Sequence, residues 1–152
     1  MAWHWQKVKG RAKRTGRVDV PRLLLRVPEN EISLVGHSLG ARVTYYALQS
    51  LHDSGQTVQN AVFLGGAIRR NKSGWPRAGN AVRGQLVNVY HRDDRVLYWI
   101  YRMGEGRPAR PCGIRPIELP TANLTNIDCT DVATRGPTNH WAYQHPAVLT
   151  QC

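Results

Sequence analysis

The order of its segments predicts an α/β protein, a parallel sheet of about four strands with helices on both faces. Two observations carry that expectation. Short, mostly apolar runs stand at 32–35, 60–65 and 85–90, each the length of a buried strand, with stretches of helical character after them. Strands that alternate with helices pair in parallel, because each crossover brings the chain back to the same end of the sheet. The second observation is the string Gly36-His37-Ser38-Leu39-Gly40, set between the first of these runs and a helix.

Residues 2–14 read as a helix interrupted by Gly10, in which Trp3, Trp5 and Val8 interleave with Lys7, Lys9, Arg11, Lys13 and Arg14. Residues 15–30 contain Pro21 and Pro28 and read as a basic connection; the run Leu23-Leu24-Leu25 inside it either extends the helix or packs under the sheet. After strand 32–35, the positions Leu39, Val43, Ala47 and Leu51, with Tyr46 and Leu48 beside them, make the apolar stripe of a helix. Strand 60–65 opens through Gly65-Gly66-Ala67 into a loop with Trp75-Pro76 and a short helix through Ala78 and Val82. Strand 85–90 precedes a short helix over 96–102. A glycine- and proline-rich loop over 104–111 leads to 114–119 and 126–129, the last strand candidates.

At 152 residues the chain is expected to form one domain, with the basic helix and connection of residues 1–30 leading into it. Cys112, Cys129 and Cys152 are too few and too irregularly spaced for a disulfide framework or a zinc site. A reduced, cytoplasmic setting is the expectation, with a Cys112–Cys129 bridge as an alternative. The first residues show no secretory signal, and the apolar runs fall far short of the ~20 residues that span a bilayer. Asn71-Lys72-Ser73 and Asn123-Leu124-Thr125 are formal glycosylation sequons, relevant only in a secreted protein.

The net charge of +11 attracts phosphate-bearing partners. Its only dense cluster spans 7–17, where a basic helix could lie on an anionic membrane. The plainer reading, which we prefer, packs the tryptophans on the sheet and points the lysines at water. Nucleic acid is disfavoured, because beyond Trp3 and Trp5 the aromatics do not interleave with basic residues as a base-stacking platform requires.

Strand, Gly-x-Ser-x-Gly and helix in that order describe a nucleophile elbow. The turn is so tight that the positions two before and two after the serine are expected to exclude side chains, which Gly36 and Gly40 satisfy. A serine hydroxyl needs a base within hydrogen-bond reach and a third group to orient that base. In the hydrolase order the acid follows the serine and the histidine comes last. Asp93 and Asp94 stand after the third strand, and His140 and His145 after the last. The aspartates could equally be a solvated loop paired with Arg92 and Arg95. His91-Arg92-Asp93 also spells a kinase catalytic loop, but lacks the downstream asparagine and the glycine-rich nucleotide loop. Asp128 and Asp131 lack ligand spacing with the histidines, so no metal site is expected.

Residues 32–48 resemble the elbow of α/β-hydrolase serine esterases and lipases. The run Gly-His-Ser-Leu-Gly-Ala-Arg-Val-Thr-Tyr-Tyr from Gly36 most resembles the transmembrane and coiled-coil domain-containing family of hydrolase-like proteins. That resemblance covers about residues 30–150 and implies the C-terminal half of an α/β-hydrolase fold. It selects Asp94, two residues before Val96-Leu97, as the orienting acid. It selects His140, followed by Tyr143 and a Pro-x-x-Leu segment, as the base. The implied activity is hydrolysis of carboxylic esters, lipid esters among them, by Ser38, Asp94 and His140, with no cofactor. His37 is expected to pack within the elbow, and the backbone N–H of Leu39 is the implied oxyanion donor.

A second oxyanion donor normally comes from a loop well upstream of the elbow, yet only 35 residues precede Gly36. Residues 1–35 or the Gly65-Gly66 loop are the candidate sources. An uncovered first strand is expected to leave an edge and an apolar face, favouring a homo-oligomer or a partner chain that completes the sheet. The rival reading is a catalytically weak or inactive hydrolase scaffold that binds anionic membranes or a protein partner.

Overall fold

The structure, a computed structural model, describes residues 2–29, 31–105, 110–119, 121–132 and 139–150. Four parallel strands, β1 (Ser33–His37), β2 (Asn60–Leu64), β3 (Leu86–Tyr90) and β4 (Leu124–Asp128), lie in chain order. Val35 faces Val62, Val62 faces Val87, and Val87 faces Thr125 across the sheet. Helices α3 (Leu39–Asp53), α4 (Trp75–Asn80) and α5 (Arg95–Glu105) fill the connections, and a 3₁₀ turn at Ala142–Gln144 leads into α6 (Pro146–Leu149).

Alternation along the strands divides the core between two faces. Ala61 and Phe63 of β2 join Leu86, Tyr45, Leu48 and Trp75 on one face. Their neighbours Val62 and Leu64 join Val87, Val89, Tyr143 and Val148 on the other. The first face is the larger. Trp75 is fully buried, with the rings of Tyr45 and Phe63 edge-on at 4.6 and 5.3 Å. Burial of each such side chain stabilises the fold by about 1.5–3 kcal/mol.

Before the sheet, the chain is one nearly continuous helix rather than a helix and a connection. α1 (Ala2–Arg14) runs through Gly10 unbroken, a π-helical stretch follows at Thr15–Asp19, and α2 (Val20–Leu24) completes it. Gly16 lets this helix lie against α3; a Cβ there would stand 2.3 Å from Val43 O. Pro21 stands where α2 resumes after the π-helical stretch, so its missing N–H falls at that irregular turn of the helix. Of the leucine run, Leu24 packs on the core while Leu23 and Leu25 are exposed. The tryptophans divide as well: Trp5 meets Tyr101 edge-on at 6.0 Å, whereas Trp3 is 76% exposed. Lys9 departs from the expected water-facing lysines, since it is buried and paired with Glu105.

Residues 114–119 are not a strand. The backbone of Ile117 is held by a side chain instead: its N–H donates to Asn126 Oδ1 at 2.9 Å, and its carbonyl accepts from Asn126 Nδ2 at 3.3 Å. Cys112 and Cys129 are both buried and are not joined by a disulfide, against the bridge held open as an alternative, and burial pushes the Cys112 thiol up to about 12. Among the described residues, no helix is long and apolar enough to cross a membrane. β1 is an edge strand, and its Val35 is 65% exposed.

Candidate active site

Ser38 stands between the end of β1 and the start of α3 with φ 54° and ψ −114°, a left-handed backbone that side-chain-bearing residues seldom adopt. Two hydrogen bonds hold it there. Its N–H donates to Leu64 O at 2.9 Å, and its carbonyl accepts from Ala67 N at 3.1 Å. The two flanking glycines are not equivalent. A Cβ on Gly36 would lie 2.6 Å from Ala41 N, whereas one on Gly40 would meet nothing within 4 Å. The expectation that both exclude side chains is thus corrected: Gly36 lies under the turn, but Gly40 is already a helical residue facing open space.

Asp94, at the N-terminal edge of α5, is 1% exposed. A carboxylate so buried needs hydrogen-bond donors in place of its water. Three are present. Leu97 N donates to Oδ1 at 2.9 Å; His140 Nδ1 at 2.8 Å and the Tyr143 hydroxyl at 3.1 Å both reach Oδ2. The Tyr143 hydroxyl also lies 2.9 Å from Gly113 O. Asp93, its neighbour, is exposed and far less constrained. Arg92 pairs with Asp128 and Asp131 at 3.0 and 3.5 Å, which accounts for those two carboxylates. The solvated-loop alternative, in which the aspartates pair with Arg92 and Arg95, does not describe Asp94, which is buried while Arg92 pairs elsewhere; the exposed Asp93 is compatible with it.

His140 is 7% exposed. With Nδ1–H given to Asp94, its Nε2 is the atom left to accept a proton. His37 ties it to the turn: His37 Nε2 donates to His140 O at 3.1 Å, and the two rings lie 4.9 Å apart. Burial lowers the His37 imidazole below its ordinary 6.5, more than the bond to the His140 carbonyl raises it. Ser38 is half-buried, and its hydroxyl makes no hydrogen bond among the described residues. His145 stands apart, half-buried, its Nδ1 accepting from Ala147 N at 3.2 Å as the cap of α6.

Leu39 opens α3, where the first N–H groups have no partner within the helix. In the Gly65-Gly66 loop two of the N–H groups nearest the turn are engaged elsewhere. Gly65 N donates to Val89 O at 3.0 Å and Ala67 N to Ser38 O. A hollow of about 550 Å³ lies against Asp94, lined by Arg92, Asp93, Arg95, Tyr98 and Asn139, and neither Ser38 nor His140 borders it.

Sequence reasoning overlooked three supports. Tyr143 was only a spacing marker after the histidine, yet its hydroxyl is a donor to Asp94. Gly65 has φ 54° and lies so close under Tyr143 that a Cβ would reach Cε2 at 2.4 Å. Gly113 packs as closely on Gly65, with its Cβ position 2.3 Å from Gly65 C. The Gly65-Gly66 pair at a strand end was the available signal for such close approach.

The family described as "Protein of unknown function (DUF726)" matches residues 2–150. The chain belongs to that family. Among curated relatives, an uncharacterized membrane protein of Schizosaccharomyces pombe is 32% identical over 92% of this chain and 18% of its own length. The "Transmembrane and coiled-coil domain-containing protein STS1" of Oryza sativa is 31% identical over 84% of this chain and 20% of its own. "Probable lipase MIL1" of Saccharomyces cerevisiae is 29% identical over 84% of this chain and 12% of its own. The chain thus spans a fifth or less of these relatives. No solved structure matches it significantly.

Proposed function

We propose that this DUF726 chain carries the reactive part of an α/β-hydrolase-type serine hydrolase acting on carboxylic esters, with lipid esters the favoured class. The observation that supports this most is the buried Asp94 Oδ2–His140 Nδ1 hydrogen bond of 2.8 Å, tied through His37 Nε2 and the His140 carbonyl to the left-handed turn that carries Ser38. The printed name of the yeast relative as a probable lipase agrees with it. In this reading Ser38 is the nucleophile of an elbow. Its Oγ attacks the ester carbonyl carbon while its proton passes to His140 Nε2. Asp94 keeps Nδ1–H in place and stabilises the imidazolium. The oxyanion faces Leu39 N–H. Collapse breaks the C–O bond, and His140 returns the proton to the departing alkoxide, leaving an acyl-serine. A water that gives its proton to His140 then releases the acid and regenerates Ser38.

A catalytically weak scaffold is the second reading, favoured by the unbonded Ser38 hydroxyl and by the engagement of Gly65 and Ala67 N–H elsewhere. One oxyanion donor is worth about 10²–10³ in kcat. Turnover of p-nitrophenyl acetate and of a long-chain p-nitrophenyl ester separates the two. Slow but Ser38-dependent turnover, lost in Ser38→Ala, supports the hydrolase. Turnover unchanged by Ser38→Ala, or none with either ester, supports the scaffold.

A further inference from the structure

Away from Ser38, four parts of the chain enclose a cavity of about 500 Å³: α1 gives Lys9, α3 gives Arg42, the β2–α4 loop gives Arg69 and Lys72, and α5 gives Tyr101 and Glu105. Its charges do not balance. Among the described residues Glu105 is the only carboxylate on the wall, and it binds both Lys9 and Arg69. Arg42 and Lys72 have no carboxylate partner among the described residues. Arg42 is nonetheless 7% exposed, and a guanidinium cannot shed its charge.

The neutral contacts of this pair are weak substitutes for an anion. Arg42 reaches Ala67 O and the Tyr46 hydroxyl only at 3.4 Å each, and its Nε is buried with no partner. The Tyr101 hydroxyl, on the same wall, is likewise buried and unpaired. Lys72 Nζ donates to the Tyr46 hydroxyl at 3.1 Å. Around the Tyr46 ring stand Lys13, Arg17, Arg42 and Lys72, at 5.6, 5.4, 5.2 and 5.5 Å from its centroid. Burial raises the Tyr46 phenol, but the Lys72 hydrogen bond and the charges of Arg42, Lys72 and Lys13 outweigh it, and the phenol ends below its usual value. Buried donors without acceptors are exceptions in folded proteins. Arg42 and Tyr101, which carry two of them, line one cavity in which Arg42 and Lys72 are the uncompensated cations, and that excess of positive charge marks the place of a missing anion.

We propose that this cavity binds a phosphate monoester group, with Arg42 and Lys72 balancing its charge. Such a group carries about −1.5 to −2 at pH 7 and presents three acceptor oxygens, matching the two cations. The inference is independent of the chemistry assigned to Ser38. A soluble metabolite or a lipid headgroup could present the same group.

The test uses the 152-residue chain with two probes. Glycerol 3-phosphate is titrated by calorimetry, and phosphatidylcholine vesicles containing phosphatidic acid are compared with vesicles containing the same fraction of phosphatidylglycerol, a diester. Saturable 1:1 binding of glycerol 3-phosphate supports a soluble ligand. Sedimentation with phosphatidic acid vesicles in preference to phosphatidylglycerol ones supports a lipid headgroup. In either case Arg42→Gln and Lys72→Gln each weaken binding by about tenfold, as loss of a charge-assisted bond requires. Arg102→Gln, an exposed cation of α5 bonded to Tyr98, leaves it unchanged. Lys72 is only half-buried, so its variant carries the test if Arg42→Gln does not fold. Failure to bind either probe overturns the proposal. So does equal binding to both kinds of vesicle without glycerol 3-phosphate binding, or an equal loss from Arg102→Gln, since either would reduce the site to diffuse positive charge.

Discussion

Asp94 receives the His140 Nδ1–H bond at 2.8 Å while its own carboxylate has no solvent-exposed surface. The exposed Asp93 beside it has no such bond to His140, so the two adjacent carboxylates differ both in burial and in hydrogen bonding. If Asp94 fixes the imidazole tautomer, Asp94→Asn lowers kcat for p-nitrophenyl ester hydrolysis by up to ~10⁴-fold. Asp93→Asn changes it little. Steady-state kinetics of both variants, with circular dichroism to confirm folding, decide the point. Equal and small effects would remove Asp94 from the mechanism.

The two glycines of the turn should separate in a stability measurement. Gly36→Ala forces a Cβ into the backbone of Ala41 and is expected to abolish folding or lower Tm severely. Gly40→Ala meets open space within α3 and should be neutral or stabilising by about 0.4–1 kcal/mol. Thermal melts of both variants test this. Equal destabilisation would mean that the turn is tighter at Gly40 than the Cβ position indicates.

Acid should weaken the fold in two steps. The folded pKa of His37 lies below 6.5, so the unfolded chain binds the extra proton first. Stability is therefore full above about 6.5 and declines as pH falls from there towards the lowered folded value. Glu105 follows: burial raises its carboxyl, but the bonds from Lys9 and Arg69 hold it below 4.5, so its contribution is lost below that value. Urea midpoints at pH 7.5 and 5.5 should fall in the wild type and fall less in His37→Gln. A wild-type midpoint that is flat over this range would contradict the first step.

The strands and α3 were legible because their signals are local: apolar runs of strand length, then a stripe of helical period. Ser38, Asp94 and His140 were legible as candidates because chain order alone restricts them. What sequence could not display were long-range substitutions for local structure. Gly10 and Pro21 read as an interruption and part of a connection, yet α1 runs through Gly10 unbroken and Pro21 stands where α2 resumes after a π-helical stretch. Residues 114–119 read as a strand, but Asn126 supplies their hydrogen bonds. Tyr143 reaches Asp94 across 49 positions, a contact that no spacing rule anticipates.

The central claim is that Ser38 is a nucleophile activated by His140. A fluorophosphonate attacks only such a serine rapidly, and it does so without a second oxyanion donor for turnover or a matched acyl chain. Intact-mass analysis after exposure to the probe should show a single adduct on the folded chain, mapped by peptide sequencing to Ser38. The adduct should be absent in Ser38→Ala and formed far more slowly in His140→Gln. No adduct on folded wild type, or one that persists in Ser38→Ala, would contradict the account.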